Sequence, residues 1–409
     1  MHSPFKGLFE RPRSFWSLFL FSVLAYHSSM NAQSVSYKSF GDGLRVMAED
    51  STFGLKIGVR FQTLYLGVLN LDTDEWNDQF LIRRARLKFD GFALTPKLQY
   101  KVELGFSNRD TGGGGNIQHG FTSRIILDAV LKWSFHSNWS LWVGQTKLPG
   151  NRERVISSQK LQFVDRSLLN SRFNIDRDIG FQLRHKDKIG TRAILKEAFS
   201  FSMGEGRDVI VANIGGYDYT FRLDYLPFGA FTNKGDYFSA DLKREKTPKL
   251  AVGATYDFND GAGKQRGQLG LFMIDSLGNQ ITNDLHTVFL DAILKYNGFS
   301  FQMEYAHKTT EEDIIAPTEL GDLRYATGTG FLLQGGYLFH NNLELGLRYA
   351  NARSDSRMFS SINDSDEYTL GVSRYFSNHN LKVQSDITYR ERLLGSDFFQ
   401  FRLQFEMAF

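Results

Sequence analysis

Residues 79–107 read "QFLIRRARLKFDGFALTPKLQYKVELGFS", an apolar and aromatic run that also carries Arg83, Arg84, Arg86, Lys88 and Lys101. Two alternating segments account for the mixture. From Ile82 to Asp90 one face holds Ile82, Arg84, Arg86, Lys88 and Asp90, and the other holds Arg83, Ala85, Leu87 and Phe89. From Leu98 to Ser107 one face holds Leu98, Tyr100, Val102, Leu104 and Phe106; Gln99, Lys101, Glu103, Gly105 and Ser107 share the other. Period-two alternation of this length predicts strands, and Thr95-Pro96-Lys97 between them supplies a turn. Each strand has one greasy face and one charged face.

A soluble sandwich explains one such hairpin. It does not explain a chain of 409 residues, with no cysteine, 7 prolines and 14% aromatic residues, that repeats the pattern almost to its end. Weak alternating segments of about ten residues, apolar toward lipid and polar toward a lumen, are how transmembrane β-barrels read. A sheet crosses lipid only when closed, since no backbone group can be left unpaired there. Strands are expected near residues 53–67, 79–93, 97–107, 122–135, 138–148, 177–187, 194–204 and 216–227. The rest are expected near 249–258, 285–296, 298–308, 329–339, 342–352, 366–376, 380–390 and 397–409. The short turns "ALTPK", "HSN", "NG", "HNN" and "SNHN" all fall on one rim if residues 267–274, "GQLGLFMI", belong to a long outer loop. The expectation is an all-β, closed antiparallel barrel of about 16 strands.

The one long apolar run is near the start, in "RPRSFWSLFLFSVLAYHSSMNAQ", residues 11–33. Lys6, Arg11 and Arg13 precede an apolar core from Phe15 to Tyr26, too short to span a bilayer. Residues 1–32 are read as an export signal cleaved after Ala32, although Met30 departs from the small-residue preference; a retained anchor helix is the alternative. Residues 33–52 then form an N-terminal periplasmic segment and 53–409 the barrel. The chain ends "FFQFRLQFEMAF", with Phe399, Phe401, Leu403, Phe405, Met407 and Phe409 on one face. That ending resembles the terminal signal that barrel-assembly machinery recognises, which together with the leader points to a bacterial outer membrane.

Net charge is +3, and removing Lys6, Arg11, Arg13 and Glu10 takes away +2, so ionic preference must come from placement. Lys56, Arg60, Arg84, Arg86, Lys88, Lys101, Arg222, Arg348, Lys382, Arg390 and Arg402 fall on the non-greasy faces. Parity puts Arg83 on the lipid side. A lumen lined with cations attracts anions, unless Glu103, Asp224, Glu344, Asp386 and Glu406 on the same faces neutralise them; about half are expected to pair. The link "GQTKLPGNRERVISSQKLQFVDRSLLNSRFNIDRDIGFQL" adds Lys147, Arg152, Arg154, Lys160, Arg166, Arg172 and Arg177. Its apolar residues, among them Val155, Leu161 and Phe163, are too many for a solvated loop. Residues 150–175 are therefore expected to fold inward, with those three on the inner wall and the arginines at a constriction.

No nucleophile–base spacing joins the scattered histidines, and "TGGGGNIQHG" opens no helix, so neither an enzyme nor a phosphate-cradling loop is read. The five acids of "EEDIIAPTELGD", residues 311–322, read as a solvated loop, with divalent-ion binding the alternative. No cofactor and no nucleic-acid partner is expected.

The blocks "QFLIRRARLKFDG", "GQTKLPGNRERVISSQKLQFVDRSLLNS", "RDIGFQL", "DYTFRLDYLPFG" and "KTPKLAVGATYDFNDGA" resemble the phosphate-selective porin O and P family over most of the chain. The resemblance implies a trimeric 16-stranded outer-membrane porin whose third loop folds inward, with arginines and lysines guiding phosphate or other small anions. It carries over to the basic positions of "RRARLK" and "NRERVISSQKLQFVDRSL"; no lysine-rich group in the later strands matches the family's central lysine cluster. The expected function is passive diffusion of small anions. A non-selective pore of the same fold, or a plugged barrel serving as a binding or secretion partner, are the alternatives.

Overall fold

The computed structural model describes residues 34–36, 40–112, 118–120, 123–311, 315–318, 321–355 and 364–409. Sixteen strands follow one another round one antiparallel sheet. They are β1 (Phe53–Asn70), β2 (Trp76–Ala93), β3 (Thr95–Gly105), β4 (Ile126–Trp133), β5 (Trp139–Lys147), β6 (Arg177–Ile189), β7 (Ala193–Ser202) and β8 (Asp218–Leu226). They continue as β9 (Lys249–Ala262), β10 (Asn283–Tyr296), β11 (Phe299–Thr310), β12 (Gly328–Leu338), β13 (Leu343–Ser354), β14 (Ser365–Ser377), β15 (Leu381–Arg392) and β16 (Phe398–Ala408). β16 pairs back onto β1, from Phe398 opposite Asn70 to Ala408 opposite Arg60, and closes the barrel. Residues 267–274 lie in the long β9–β10 connection, as parity requires. Faces separate cleanly: Phe401, Phe405 and Phe409 are exposed outside, while Gln404 and Glu406 are buried inside.

The leader at residues 1–32 lies outside the described residues, as do 113–117, 312–314 and 319–320 of the glycine-rich and acidic loops. Within 33–52, Ser34–Ser36 pairs with Leu44–Met47, which adds to β1 at Gly54–Ile57.

The opening segment contains a break in register that parity cannot see. Gln62 pairs with Arg84 and Thr63 with Ile82, so Arg83 is the extra residue of a β-bulge. Bulges bend a strand and re-aim its side chains. Arg83 is therefore not on the lipid side: it is 4% exposed and faces the lumen. Ile82 moves the other way, to the outer face, where it is 62% exposed.

Half of the lumen is filled. The β5–β6 connection folds inward as expected and lays its apolar side on the wall made by β10–β14. Leu148, Leu168, Leu169, Phe173 and Ile175 cluster with the inward-facing Phe289, Ala306, Leu332, Ala350 and Ala352. Burial of each large side chain contributes roughly 1.5–3 kcal/mol. Leu161 and Phe163 are also buried, but Val155 is only half-buried and turns to the open side of the loop. Phe163 lies on bare backbone. A Cβ added at Gly371 would fall 2.7 Å from its Cδ1, and one at Gly346 would fall 3.1 Å from its Cζ. Gly371→Leu is expected to lift Phe163 from the wall, at a cost of about 1–3 kcal/mol. The barrel should still form, and limited proteolysis should cut within residues 150–175; an uncut loop would refute the seating.

Buried polar groups fix the same loop. Arg152 reaches Asp291 at 2.6 Å and Asp224 at 2.7 Å. Arg222 also reaches both carboxylates and donates to the Gly150 carbonyl at 2.9 Å. The Glu153 N–H donates to Glu304, the Val164 N–H to Asp386 at 3.1 Å, and the Gln162 amide to Glu344 at 2.8 Å.

A second segment enters from the short-turn rim. The connection between β8 and β9, residues 227–248, is long where its neighbours on that rim are short. Phe231 packs with Ile194, Leu226, Ala251 and Ile293, and Ala240 with Leu338 and Tyr375. Lys295 donates to the Gly235 and Ala240 carbonyls at 2.8 and 2.7 Å. The Ser239 N–H meets the Lys160 carbonyl at 3.0 Å, so the two inward segments touch.

Candidate functional site

The open half of the lumen is a cavity of about 1170 Å³ along β2–β7. It runs from Arg124 and Arg207 near the long-loop rim to Ser137 and Lys234 near the short-turn rim. Eighteen lysines and arginines line it among the described residues, against four acids, Glu103, Asp110, Asp128 and Asp176. The wall is strongly electropositive.

Some of those cations are held in pairs. Arg83 and Arg84 share the loop carboxylate of Asp165, with the Arg83 guanidinium at 2.7 Å. Burial alone would raise the Asp165 pKa, but the two guanidiniums overcome it and hold the group well below the usual carboxylate range. Arg86 pairs with Glu103 at 2.9 Å and Asp110 at 2.7 Å, and Lys101 with Glu103 at 2.9 Å and Asp128 at 2.7 Å. Arg177 lies 3.2 Å from Asp128, and the Arg154 Nε 2.7 Å from Asp176. These pairs stiffen the wall and contribute little net field.

Others have no carboxylate within ion-pair distance among the described residues: Lys132, Lys147, Lys160, Arg166, Arg184, Lys186 and Lys234. Lys147 donates to the Arg154 carbonyl at 2.6 Å, and Arg166 to those of Glu153 at 2.9 Å and Ile156 at 2.7 Å. Carbonyls orient these charges without cancelling them. Lys132 and Arg184 lie 3.9 and 4.1 Å from the Trp142 ring centre, and Lys160 lies 3.8 Å from that of Phe238. Aromatic faces hold cations in place and leave their charge intact. Burial, then the charges of Lys88, Lys234, Lys101 and Lys56, push the Lys160 ammonium down to about 8.

Of the residues singled out in the sequence, Arg84, Arg86, Lys101, Arg154, Lys160, Arg166 and Arg177 line this cavity. Arg152 and Arg222 lie behind the loop as its anchors, and Arg60 pairs with Glu406 at 2.6 Å while donating to Ser158. Arg172 opens instead on a separate cavity with Arg266, Arg390 and Arg392 near the long-loop rim. Lys56 and Lys88 sit on the lumen face outside the cavity lining, and Lys88 pairs with Asp90 at 2.7 Å. Sequence reasoning passed over Lys132, Arg184, Lys186 and Lys196, although the same alternation places them on the polar faces of β4, β6 and β7. A lysine group gathers around Lys160: Lys56, Lys88 and Lys101 from early strands and Lys234 of the inward lobe are the charges that act on it.

A family model described as phosphate-selective porin O and P matches residues 55–392. The chain belongs to the phosphate-selective porin O and P family. It is a bacterial outer-membrane porin, a channel for small anions. The family is one of channels, not enzymes. Solved structures share the fold at low identity. The anion-selective porin from Comamonas acidovorans is 13% identical with a TM-score of 0.55, over 87% of this chain and 100% of that one. OmpF of Salmonella typhi, in complex with daunomycin, is 15% identical with a TM-score of 0.55, over 88% and 98%. OmpT of Vibrio cholerae, in its trimer form, is 11% identical with a TM-score of 0.50, over 87% and 99%. No curated protein matches the sequence.

For this porin a lysine pushed down to about 8 has a direct consequence. Its charge is present below that pH and lost above it. Low-salt anion conductance is expected to fall roughly twofold between pH 7 and 9, and Lys160→Arg should reduce the fall. A pH-independent wild-type conductance would show that Lys160 does not act on the permeating ion.

Proposed function

We propose that this porin passes inorganic phosphate and similarly small anions by diffusion, as a homotrimer, with selectivity set by the unpaired cations of the β2–β7 wall. The observation that carries the reading is the excess of eighteen basic over four acidic groups along that wall. Such a cleft focuses the field and raises the local anion concentration. Arg84, Arg86, Lys101, Arg154 and Arg177 keep the wall rigid, and Lys160 and Arg166 present charge where the loop narrows the lumen. The trimer form of the Vibrio cholerae relative supports the oligomer. Residues 1–32 serve as a removable leader, and the strand ending at Phe409 serves as the assembly signal. The position of Phe409 supports the latter: its N–H donates to the Val59 carbonyl at 2.9 Å, at the seam where β16 meets β1.

The test is a single-channel recording in planar bilayers under a tenfold KCl gradient. The expected reversal potential lies on the chloride side, and added phosphate should lower chloride current as it competes for the same wall. A zero or cation-sided reversal potential would return the porin to unselective diffusion.

A further inference from the structure

A second cavity, of about 290 Å³, sits beside the channel at the periplasmic mouth, between the inward lobe, the loop tip and the 378–380 turn. It shares Lys160, Asn233 and Phe238 with the channel lining. The acids in its wall are already engaged by the protein. Asp241 accepts the Glu245 N–H at 3.0 Å and the Gly298 N–H at 2.9 Å; Glu245 accepts the Thr232 N–H at 2.6 Å and its hydroxyl at 3.0 Å. Lys295 is likewise taken up by two carbonyls.

His379 is different. It is 4% exposed, its ring packs 5.5 Å from Phe238 and 5.3 Å from Tyr375, and neither ring nitrogen has a hydrogen-bond partner among the described residues. Leaving a buried imidazole unbonded is costly, and a ligand group removes the cost. Burial first, then the charges of Lys382, Lys160 and Lys295, keep the ring neutral, so it offers one donor and one acceptor. Lys160 supplies a full positive charge to the same cavity, and Phe238, Ala240 and Leu242 give it an apolar floor.

We propose that this cavity binds a small organic anion with an aryl or short alkyl body, its charged group on Lys160 and His379 and its body against Phe238 and Leu242. Because Lys160 belongs to both cavities, occupancy withdraws one of the unpaired charges from the channel. An organic anion accumulating in the periplasm thereby throttles anion entry. The inference rests on the anion-channel reading for its effect on current, whereas binding itself is independent of it.

Phenyl phosphate is the probe. Calorimetry on the folded porin in detergent should show binding about tenfold tighter than that of inorganic phosphate, because only the former buries a ring. In bilayers it should reduce chloride current at several-fold lower concentration from the periplasmic side than from the outer side. His379→Phe, which keeps the ring stack, and Leu242→Trp, which fills the cavity, should each remove the preference and the sidedness while the chloride current without probe stays unchanged. Heat-modifiability of each variant establishes that the barrel is folded. Equal affinity for the two phosphates, or a preference that survives in a folded variant, overturns the site. Normal binding in a porin without anion preference would instead sink the channel reading and leave the site standing.

Discussion

Replacing Arg152 with alanine is expected to raise single-channel conductance several-fold and to lower anion preference at the same time. Arg152 bridges Asp224 and Asp291 behind the inward loop, at 4% side-chain exposure. Removing one partner of a buried pair typically costs about 3–5 kcal/mol. Arg222 still reaches both carboxylates, so the loss here sits near the low end of that range. The barrel ladder does not depend on the pair and should keep its heat-modifiable migration. The loop does depend on it: its Asn151–Glu153 segment is held by the Arg152 ion pairs and by Glu304. A loosened loop widens the lumen and takes Lys160 and Arg166 out of position. The sign of the change decides between two roles. Were Arg152 a pore cation, its removal would lower anion conductance with the loop still protected from protease.

The opposite kind of variant, Lys160→Glu with Lys186→Glu and Lys234→Glu, is expected to turn the porin cation-selective at low salt. None of the three has a carboxylate partner among the described residues, so no buried pair is broken and thermal stability should change little. The field along the cavity changes by six charges. With a screening length of roughly 30 Å at 0.01 M, the reversal potential under a salt gradient should change sign; at 1 M, with roughly 3 Å, the variant should approach the wild type. Persistent anion preference at low salt would assign selectivity to the paired cations. Glutamine at Arg84, Arg86 and Lys88 separates the two groups further. Arg86 leaves Glu103 and Asp110 behind, so that triple variant should lose thermal stability along with anion preference.

Alternation alone placed all sixteen strands, because a lipid face and a water face impose a period of two on every one of them. It also found the inward loop, since Leu161, Phe163, Leu168 and Leu169 demand a dry surface. It failed where one residue changes the parity: the bulge at Arg83 leaves no compositional mark. It failed again for Arg152 and Arg222, because a basic residue in an inward loop reads the same whether it faces water or a buried carboxylate. The excess of carboxylates on the opposite wall, Asp224, Asp291 and Glu304, is visible only once register brings them to one height. The lobe at 227–248 was missed because its rim carries short turns elsewhere, yet inward Leu226, Ala251 and Ile293 broke the polar-in rule beside it. So did Phe289 and Leu332 beneath the loop. Violations of alternation mark the covered half of the wall.

The uneven filling of the lumen divides the sheet into two kinds of territory. On β10–β14 many inward positions are committed to the loop, by apolar side chains such as Phe289 and Leu332, by glycines that admit a ring and by carboxylates that grip it, and a change there is felt as altered gating of the whole pore. On β2–β7, Lys132 and Lys186 have no carboxylate partner among the described residues and leave their charge to the passing ion. Exchanging them alters what is admitted while the aperture keeps its size. A barrel built this way can change its diet without rebuilding its throat.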